Sequence, residues 1–449
     1  MHSLDDIPAS KQTRALATST IAFTACFAVW TIFSIIGVQL KADLGLNDTQ
    51  FGLLVGTPIL TGSLSRIVLG IWSDQYGGRI VYFFVMVFAA IATFLLTFTE
   101  TYIMTLVAAL GVGLAGGSFA VGIAYVSTWY PKEKQGTALG IFGVGNVGAA
   151  VTTFVAPFVL VAYGWHTVAQ VWASVLVVIA ILFWLLTEDD PNLQHRRAKG
   201  LKHRSLIQQL EPLKHLQIWR FSTYYFFVFG AFVALALWLP RYLVGVYELD
   251  IKTAGILTAF YAVPASLFRA YGGHLSDRYG ARAIMYLTFG VSVICTFLLS
   301  YPETDYIIHG IEGPIEFATR MALVPFVVLI FVLGFFMSLG KAAVYKHIPV
   351  YYADHVGSVG GMVGMVGGLG GFFLPIAFGL MMDFTHVWTS CFMLLFLIVA
   401  VALVWMHFSI RHMEREALPA DVRDQGDLPE IQWAQESRRS DHQLEMGVQ

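Results

Sequence analysis

The chain has 449 residues, of which 57% are apolar and only 12% charged, and its 27 Lys/Arg against 29 Asp/Glu leave a net charge of −2. A water-soluble domain carries about 25% charge, so the composition excludes an ordinary soluble fold. The near-zero balance also excludes a basic nucleic-acid-binding surface.

A helix needs about 20 mostly apolar residues to cross a bilayer. Read in chain order, that pattern predicts twelve spans: 19–40, 51–72, 79–98, 102–125, 137–162, 166–187, 219–243, 253–273, 282–301, 320–345, 357–381 and 387–409. The residues before the first span are polar and lack a removable leader pattern, so the first span is expected to insert the chain. The three cysteines, Cys26, Cys295 and Cys391, fall inside apolar runs and read as small core residues. The organisation expected is all-α: an N-terminal six-helix half (1–187), a basic linker (188–218), a C-terminal six-helix half (219–409) and a charged, disordered tail (410–449). With twelve spans both termini share one side. That side collects 20 Lys/Arg, whereas the other holds four, Lys41, Arg241, Lys252 and Arg320. Lys/Arg-rich loops stay cytoplasmic, so the termini and linker are expected in the cytoplasm, with the protein a monomer in the cell (inner) membrane.

Running out of the second span, residues 66–79 read RIVLGIWSDQYGGR; running out of the eighth, residues 269–282 read RAYGGHLSDRYGAR. Arg66, Gly70, Asp74, Gly77 and Arg79 therefore match Arg269, Gly273, Asp277, Gly280 and Arg282 at a constant offset of 203. Duplicated halves around a midplane site are a transporter architecture. The shared G-x-x-x-D-x-x-G-x-R pattern resembles the loop motif of the major facilitator superfamily. That likeness implies a gating latch, with Gly70 and Gly273 allowing close helix approach and Asp74 and Asp277 pairing with arginines or a helix N-terminus. The plainer reading is a solvated loop obeying the positive-inside rule.

Arg66 and Arg269 lie inside spans, each roughly 12 Å along the helix from its motif aspartate at 1.5 Å per residue. A charge at that depth is costly and marks a substrate or ion pathway. No Asp or Glu lies within any predicted span. An anion is thus the natural partner, and two guanidinium forks suit a small planar oxyanion. The alternative partners are backbone carbonyls or a lipid headgroup.

Three segments are rich in glycine: GVGLAGGSFAVG (111–122), GIFGVGNVGAA (140–150) and GGMVGMVGGLGGFFLP (360–375). Gly143, Gly145 and Gly148 spell G-x-G-x-x-G, but no strand precedes them and no acid follows, so a dinucleotide site is rejected. Together with Gly364, Gly367 and Gly370 they read as close helix packing that leaves room only for a small substrate. Asn146 is the one amide in its apolar surroundings, able to donate to an anion or to bond across helices.

The segments GLAGGSFAVG…YPKEKQGTALGIFGVGNVG and GGMVGMVGGLGGFFLPIAFG, with one arginine in each half, resemble the nitrate signatures of the bacterial nitrate/nitrite porters. The resemblance spans all twelve helices. It implies that nitrate or nitrite binds at Arg66, Arg269, Asn146, Phe119, Tyr225 and Phe229. The aromatic rings could equally be ordinary packing. The run KAAVYKHIPVYY, with Lys341 inside its span, resembles the proton-coupled nitrate branch.

Bringing one anion into an inside-negative cell costs about 2.3 kcal/mol per 100 mV. Import therefore needs accompanying protons or exchange for internal nitrite. A buried lysine can titrate, which makes Lys341 the coupling candidate; its other reading is a fixed positive charge along the anion path. His347 and His274 are weaker candidates. Nitrate/proton symport is the leading expectation and nitrate/nitrite antiport the alternative. No metal cluster, nucleophile elbow or phosphate loop is present in the sequence, so neither an enzyme nor a cofactor is expected.

Overall fold

A computed structural model of the chain describes residues 8–130, 132–189, 214–351 and 356–417; the side chains at 74, 132–136, 349–350, 356–358 and 414–417 are outside that description. All twelve expected spans are helical. They are α1 (Ala9–Asp43), α2 (Asp48–Ser73), α3 (Gly78–Phe98), α4 (Tyr102–Ser127), α5 (Thr137–Tyr163), α6 (Trp165–Leu186), α7 (Leu216–Tyr247), α8 (Ile251–Leu267 with Arg269–Tyr279), α9 (Ala281–Ser300), α10 (Leu323–Ile348), α11 (Val359–Thr385) and α12 (Ser390–Met413). Most of the linker and the tail beyond 417 lie outside the described residues. The helix of α12 itself continues to Ala417, so the first residues assigned to the tail are helical.

The helix boundaries follow from local chemistry. Asn47 caps α2 and forms a reciprocal capping box with Gln50. Asp250 caps α8 by accepting from the backbone N–H groups of Lys252 and Thr253. At the matched motif positions, Gly77 (φ 100°) and Gly280 (φ 85°) take left-handed backbone conformations that end α2 and α8.

Two features depart from the expected regular spans. The eighth span is bent by 40° at Phe268, which places Arg269 at the start of the second segment. The segment between α9 and α10, which falls between two expected spans, forms an antiparallel hairpin of β1 (Thr304–Gly310) and β2 (Gly313–Thr319).

The two six-helix halves meet along three seams: α2 against α11, α5 against the first segment of α8, and the outer part of α1 against α7. The α2/α11 seam is tight because small residues line it. A Cβ on Gly52 would lie 2.1 Å from the Pro375 carbonyl oxygen, and one on Gly379 would lie 2.1 Å from that of Asp48. Such close backbone approach is how membrane helices associate where lipid supplies no hydrophobic drive.

Candidate functional site

Four helices lose regular α geometry around the residues of interest. In α4, a 3₁₀ stretch at Gly113–Gly117 precedes Phe119. In α5, a 3₁₀ turn at Val144–Val147 carries Asn146. In α7, a π-helical turn at Phe226–Ala231 carries Phe229. In α8, the break at Phe268 releases Arg269. Local 3₁₀ and π geometry of this kind commonly accompanies function.

These distortions gather the predicted residues. Arg66 and Arg269 are 4% and 8% exposed, and both face the Phe119 ring, their guanidinium carbons 5.3 and 5.8 Å from its centroid. Arg66 also lies 5.4 Å from the Phe229 ring. Phe229 stacks on Tyr225 with centroids 5.1 Å apart and planes within 11°. All these rings are buried. The sequence-level set from α2, α4, α7 and α8 is thus one constellation. Asn146 is fully buried in the turn that begins just after Gly143. That turn packs against the Pro264–Leu267 segment leading to Arg269.

The polar atoms of this constellation are under-satisfied. One nitrogen of Arg66 donates to the Gly364 carbonyl oxygen at 2.7 Å. Its Nε, the Nη1 of Arg269, the Tyr225 hydroxyl, the Ser63 hydroxyl and both side-chain polar atoms of Asn146 are buried without a hydrogen-bond partner. Buried polar groups are ordinarily paired, because leaving one unmade costs about 1–3 kcal/mol. The charge is equally one-sided. Among the described residues Arg66, Arg220, Arg269 and Lys341 are buried, and no Asp or Glu is.

Lys341 is fully buried but does not join the two arginines directly. Its Nζ donates to the Ala265 carbonyl oxygen at 2.8 Å and sits 3.2 Å from the centre of the Phe232 ring. It approaches the site through Phe229, at 5.8 Å from that ring. Phe229 therefore borders both Arg66 and Lys341. Of the two weaker candidates, His347 lies with Nδ1 2.9 Å from the Ala343 carbonyl oxygen, and His274 is exposed in the second segment of α8.

Most of the glycines of the rich segments lie against a neighbouring helix. A Cβ on Gly367 would meet Tyr225 at 2.4 Å, one on Gly370 would meet Gly230 at 2.9 Å, and one on Gly364 would meet the Tyr345 hydroxyl at 2.7 Å. Gly145 accommodates Phe23 and Gly148 the Thr24 carbonyl of α1. Gly143 differs from simple helix packing, because its missing side chain makes room for Arg269, whose atoms lie 3.3–3.4 Å from a Cβ placed there.

The motif residues need correction. Nothing lies within 4 Å of a Cβ on Gly70 or Gly273, so these glycines do not mediate close helix approach in this conformation. Other glycines do: a Cβ on Gly78, at the start of α3, would meet Tyr125 at 2.6 Å, and one on Gly272, beside Gly273, would meet Leu339 at 2.6 Å. Asp277 pairs with Lys346 of α10 rather than with an arginine or a helix end. Arg79 donates to the Trp184 carbonyl oxygen at 2.6 Å and to Asp189 at 3.1 Å. Both contacts stay within one half. The side chain of Asp74 lies outside the described residues, and Arg282 is not without a partner.

Sequence reasoning missed three features. Trp30 of α1 lies 5.6 Å from the Arg66 guanidinium and donates from Nε1 to the Pro58 carbonyl oxygen at 2.8 Å. Tyr345 packs edge-on against Tyr225 at 5.0 Å, and the Arg269 guanidinium lies 5.5 Å from its ring. The third is a polar clasp at the end of the bundle opposite the termini. There Asp48 of α2 pairs with Arg241 of α7. Asp383 of α11 accepts from the backbone N–H groups of Asp48 and Thr49 at 3.0 and 2.8 Å. Among described residues, the hydrogen bonds and ion pairs joining the halves are this clasp and the Arg66–Gly364 contact.

Comparison with known proteins places these observations. The family model described as Major Facilitator Superfamily matches residues 18–313 and again 251–439. A Thermus thermophilus protein named "Probable nitrate/nitrite antiporter" is 42% identical, over 93% of this chain and 96% of its own length. A "Nitrite extrusion protein" of Bacillus subtilis (strain 168) is 28% identical over 91% and 98% of the two chains. A "Probable nitrate transporter" of Staphylococcus epidermidis is 28% identical over 87% and 95%. Among solved structures, a bacterial homologue of the human lysosomal transporter Spinster gives a TM-score of 0.69 at 15% identity, covering 90% of this chain and 98% of that one. The nucleoside transporter NupG gives 0.67 at 14% identity, covering 88% and 99%. At that identity the likeness concerns the fold alone.

Proposed function

This chain belongs to the nitrate/nitrite porter family of the Major Facilitator Superfamily, and we propose that it carries nitrate, and nitrite as a related cargo, across a bacterial inner membrane with both termini in the cytoplasm. It is a transporter, not an enzyme. The observation that carries the reading is the set of buried, unpaired donors on Arg66, Arg269, Asn146 and Tyr225, with no buried carboxylate among the described residues.

The proposed mechanism follows from that set. A planar oxyanion entering between Arg66 and Arg269 accepts the free guanidinium N–H groups, and charge-assisted hydrogen bonds are the strong kind. The Asn146 amide and the Tyr225 hydroxyl supply neutral donors at its edge. Phe119 and Phe229 present flat faces that fit a flat ion and leave a tetrahedral one such as sulfate without room. A monovalent anion offsets one of the two buried positive charges and pairs donors on both arginines, so the loaded site closes more readily than the empty one. The clasp between Asp48, Arg241 and Asp383 supports a state shut on the outer side. Opening to the outside requires those contacts to part while the halves rock about the site.

For the driving force, we propose proton symport, with Lys341 taking up and releasing the coupling proton. Its position behind Phe229 supports an indirect link to the anion. Exchange of nitrate for nitrite is the second reading, favoured by the name of the Thermus thermophilus relative. Flux into proteoliposomes separates them. Under symport, an inward proton gradient drives nitrate into vesicles that contain no nitrite. Uptake seen only with nitrite loaded inside overturns symport in favour of exchange. No nitrate flux under either condition, in protein shown to be folded, overturns the transport reading itself.

A further inference from the structure

The hairpin between α9 and α10 is not used by the transport mechanism, and its two faces differ in character. The register pairs Tyr306 with Phe317 and Ile308 with Ile315, and side chains two apart along a strand share a face. Tyr306 and Phe317 stack with ring centroids 5.0 Å apart and planes within 16°. The opposite face carries Asp305, His309 and Glu316, with Ile307 as its one branched apolar residue. The apolar face is bare: Ile308, Ile315 and Phe317 are 49%, 57% and 46% exposed, and Ile311 at the tip is fully exposed.

An isolated two-stranded hairpin is marginal in water and normally needs a surface to pack on. The surface at hand is set by the chain. β1 begins four residues after Ser300 ends α9, and β2 ends four residues before Leu323 starts α10. The Tyr247 hydroxyl donates to the Met321 carbonyl oxygen at 3.1 Å and ties the base to the end of α7. At about 3.3 Å per residue, the base therefore stays close to the ends of two membrane spans. The outward apolar surface of those spans runs up to the hairpin, through Phe297 and Tyr301 on one side and Val328 and Val324 on the other, all exposed. The apolar face therefore lies within a few residues of the exposed apolar ends of both spans.

We propose that this hairpin lies on the outer surface of the bilayer, its Tyr306–Ile308–Ile315–Phe317 face in the headgroup and upper acyl region and its Asp305–Glu316 face toward water. Aromatic residues favour that interfacial zone, and the acidic face turned away from lipid avoids desolvating its carboxylates. The hairpin then acts as a float that fixes the depth of α9 and α10 while the halves move.

Site-directed spin labelling tests the orientation. Single cysteines replace Ile308, Ile315, Asp305 or Glu316 in a background lacking Cys26, Cys295 and Cys391, and the full-length protein is placed in phosphatidylcholine nanodiscs. Collision with oxygen is compared with collision with a water-soluble nickel chelate. At Ile308 and Ile315 the oxygen-to-nickel ratio should be several-fold higher than at Asp305 and Glu316. Dominant nickel access at all four sites overturns the proposal in favour of a hairpin standing in water. Spin–spin broadening between copies labelled at Ile308 overturns it in favour of a self-association face. Nitrate binding measured on the same samples keeps the outcome independent of the transport reading.

Discussion

The Arg66 guanidinium donates to the Gly364 carbonyl oxygen at 2.7 Å, so a charged side chain of the N-terminal half is bonded to the backbone of the C-terminal half next to the anion site. One Nη of Arg66 is spent on joining the halves, and its Nε, buried without a protein partner, is left for cargo. Substrate binding and inter-half contact therefore share one side chain. Lysine at this position keeps the charge but loses the planar fork that directs donors to both partners at fixed angles.

That sharing predicts the effect of changing the clasp on the other membrane face. Asp383→Asn keeps the shape but removes the charge that accepts from Thr49 and the start of α2. Hydrogen bonds to charged groups contribute about 1.5–3 kcal/mol, so the equilibrium should move at least tenfold toward opening at that end. Distances between spin labels at Gln39 and Glu248 report it, with a longer population growing in the variant. An unchanged distribution would show that the clasp does not set the equilibrium.

For coupling, Lys341→Met should leave nitrate binding measurable but flatten the dependence of uptake on the external proton gradient. The side chain contacts Ala265 and Phe232 rather than the arginines, which is why binding should survive. Retention of wild-type pH dependence would rule Lys341 out as the proton carrier.

Packing around Tyr225 gives a stability test. Gly367→Ala puts a methyl 2.4 Å from the Tyr225 ring and 3.0 Å from its backbone carbon. Overpacking of this kind costs about 1–3 kcal/mol. The melting temperature should drop and nitrate affinity should weaken together. Gly361→Ala, where nothing lies within 4 Å, should leave both unchanged.

At the terminal side of the membrane, hydrogen bonds from Lys11 and then Arg14 hold the Glu188 carboxyl below the usual carboxylate range. Its contribution is present above the unfolded value of about 4.3 and fades as pH falls through the lower folded value. The pair is largely exposed, so solvent and salt screen it. Hydrogen exchange at the start of α1 should rise slightly below that pH, and Glu188→Gln should remove the step.

Much of this was legible in the sequence because lipid simplifies the code. All twelve spans stand out since each backbone must satisfy itself within an apolar helix. Arg66 and Arg269 stand out since a buried charge without an acid needs a reason. Trp30 and Tyr345 did not, because an aromatic inside an apolar span looks the same whether it packs a helix or walls a site. The clasp was hidden differently. Asp48, Arg241 and Asp383 sit at span ends, where charges are ordinary, and Asp383 lies 335 residues from the α2 terminus it caps. The bend at Phe268 and the β1–β2 hairpin left only weak local signals. The motif glycines misled for a physical reason: Gly77 and Gly280 end the helices, while Gly78 and Gly272 provide the close contacts expected of Gly70 and Gly273.

The central claim is that Arg66 and Arg269 jointly hold the anion. The most direct test is calorimetric titration of nitrate into the purified protein and into Arg66→Lys and Arg269→Lys, each checked for folding by its melting curve. Loss of a forked, charged contact worth about 1.5–3 kcal/mol predicts at least a tenfold weaker affinity in either variant, with nitrite but not sulfate competing in the parent protein. Wild-type nitrate affinity in both folded variants would contradict the account.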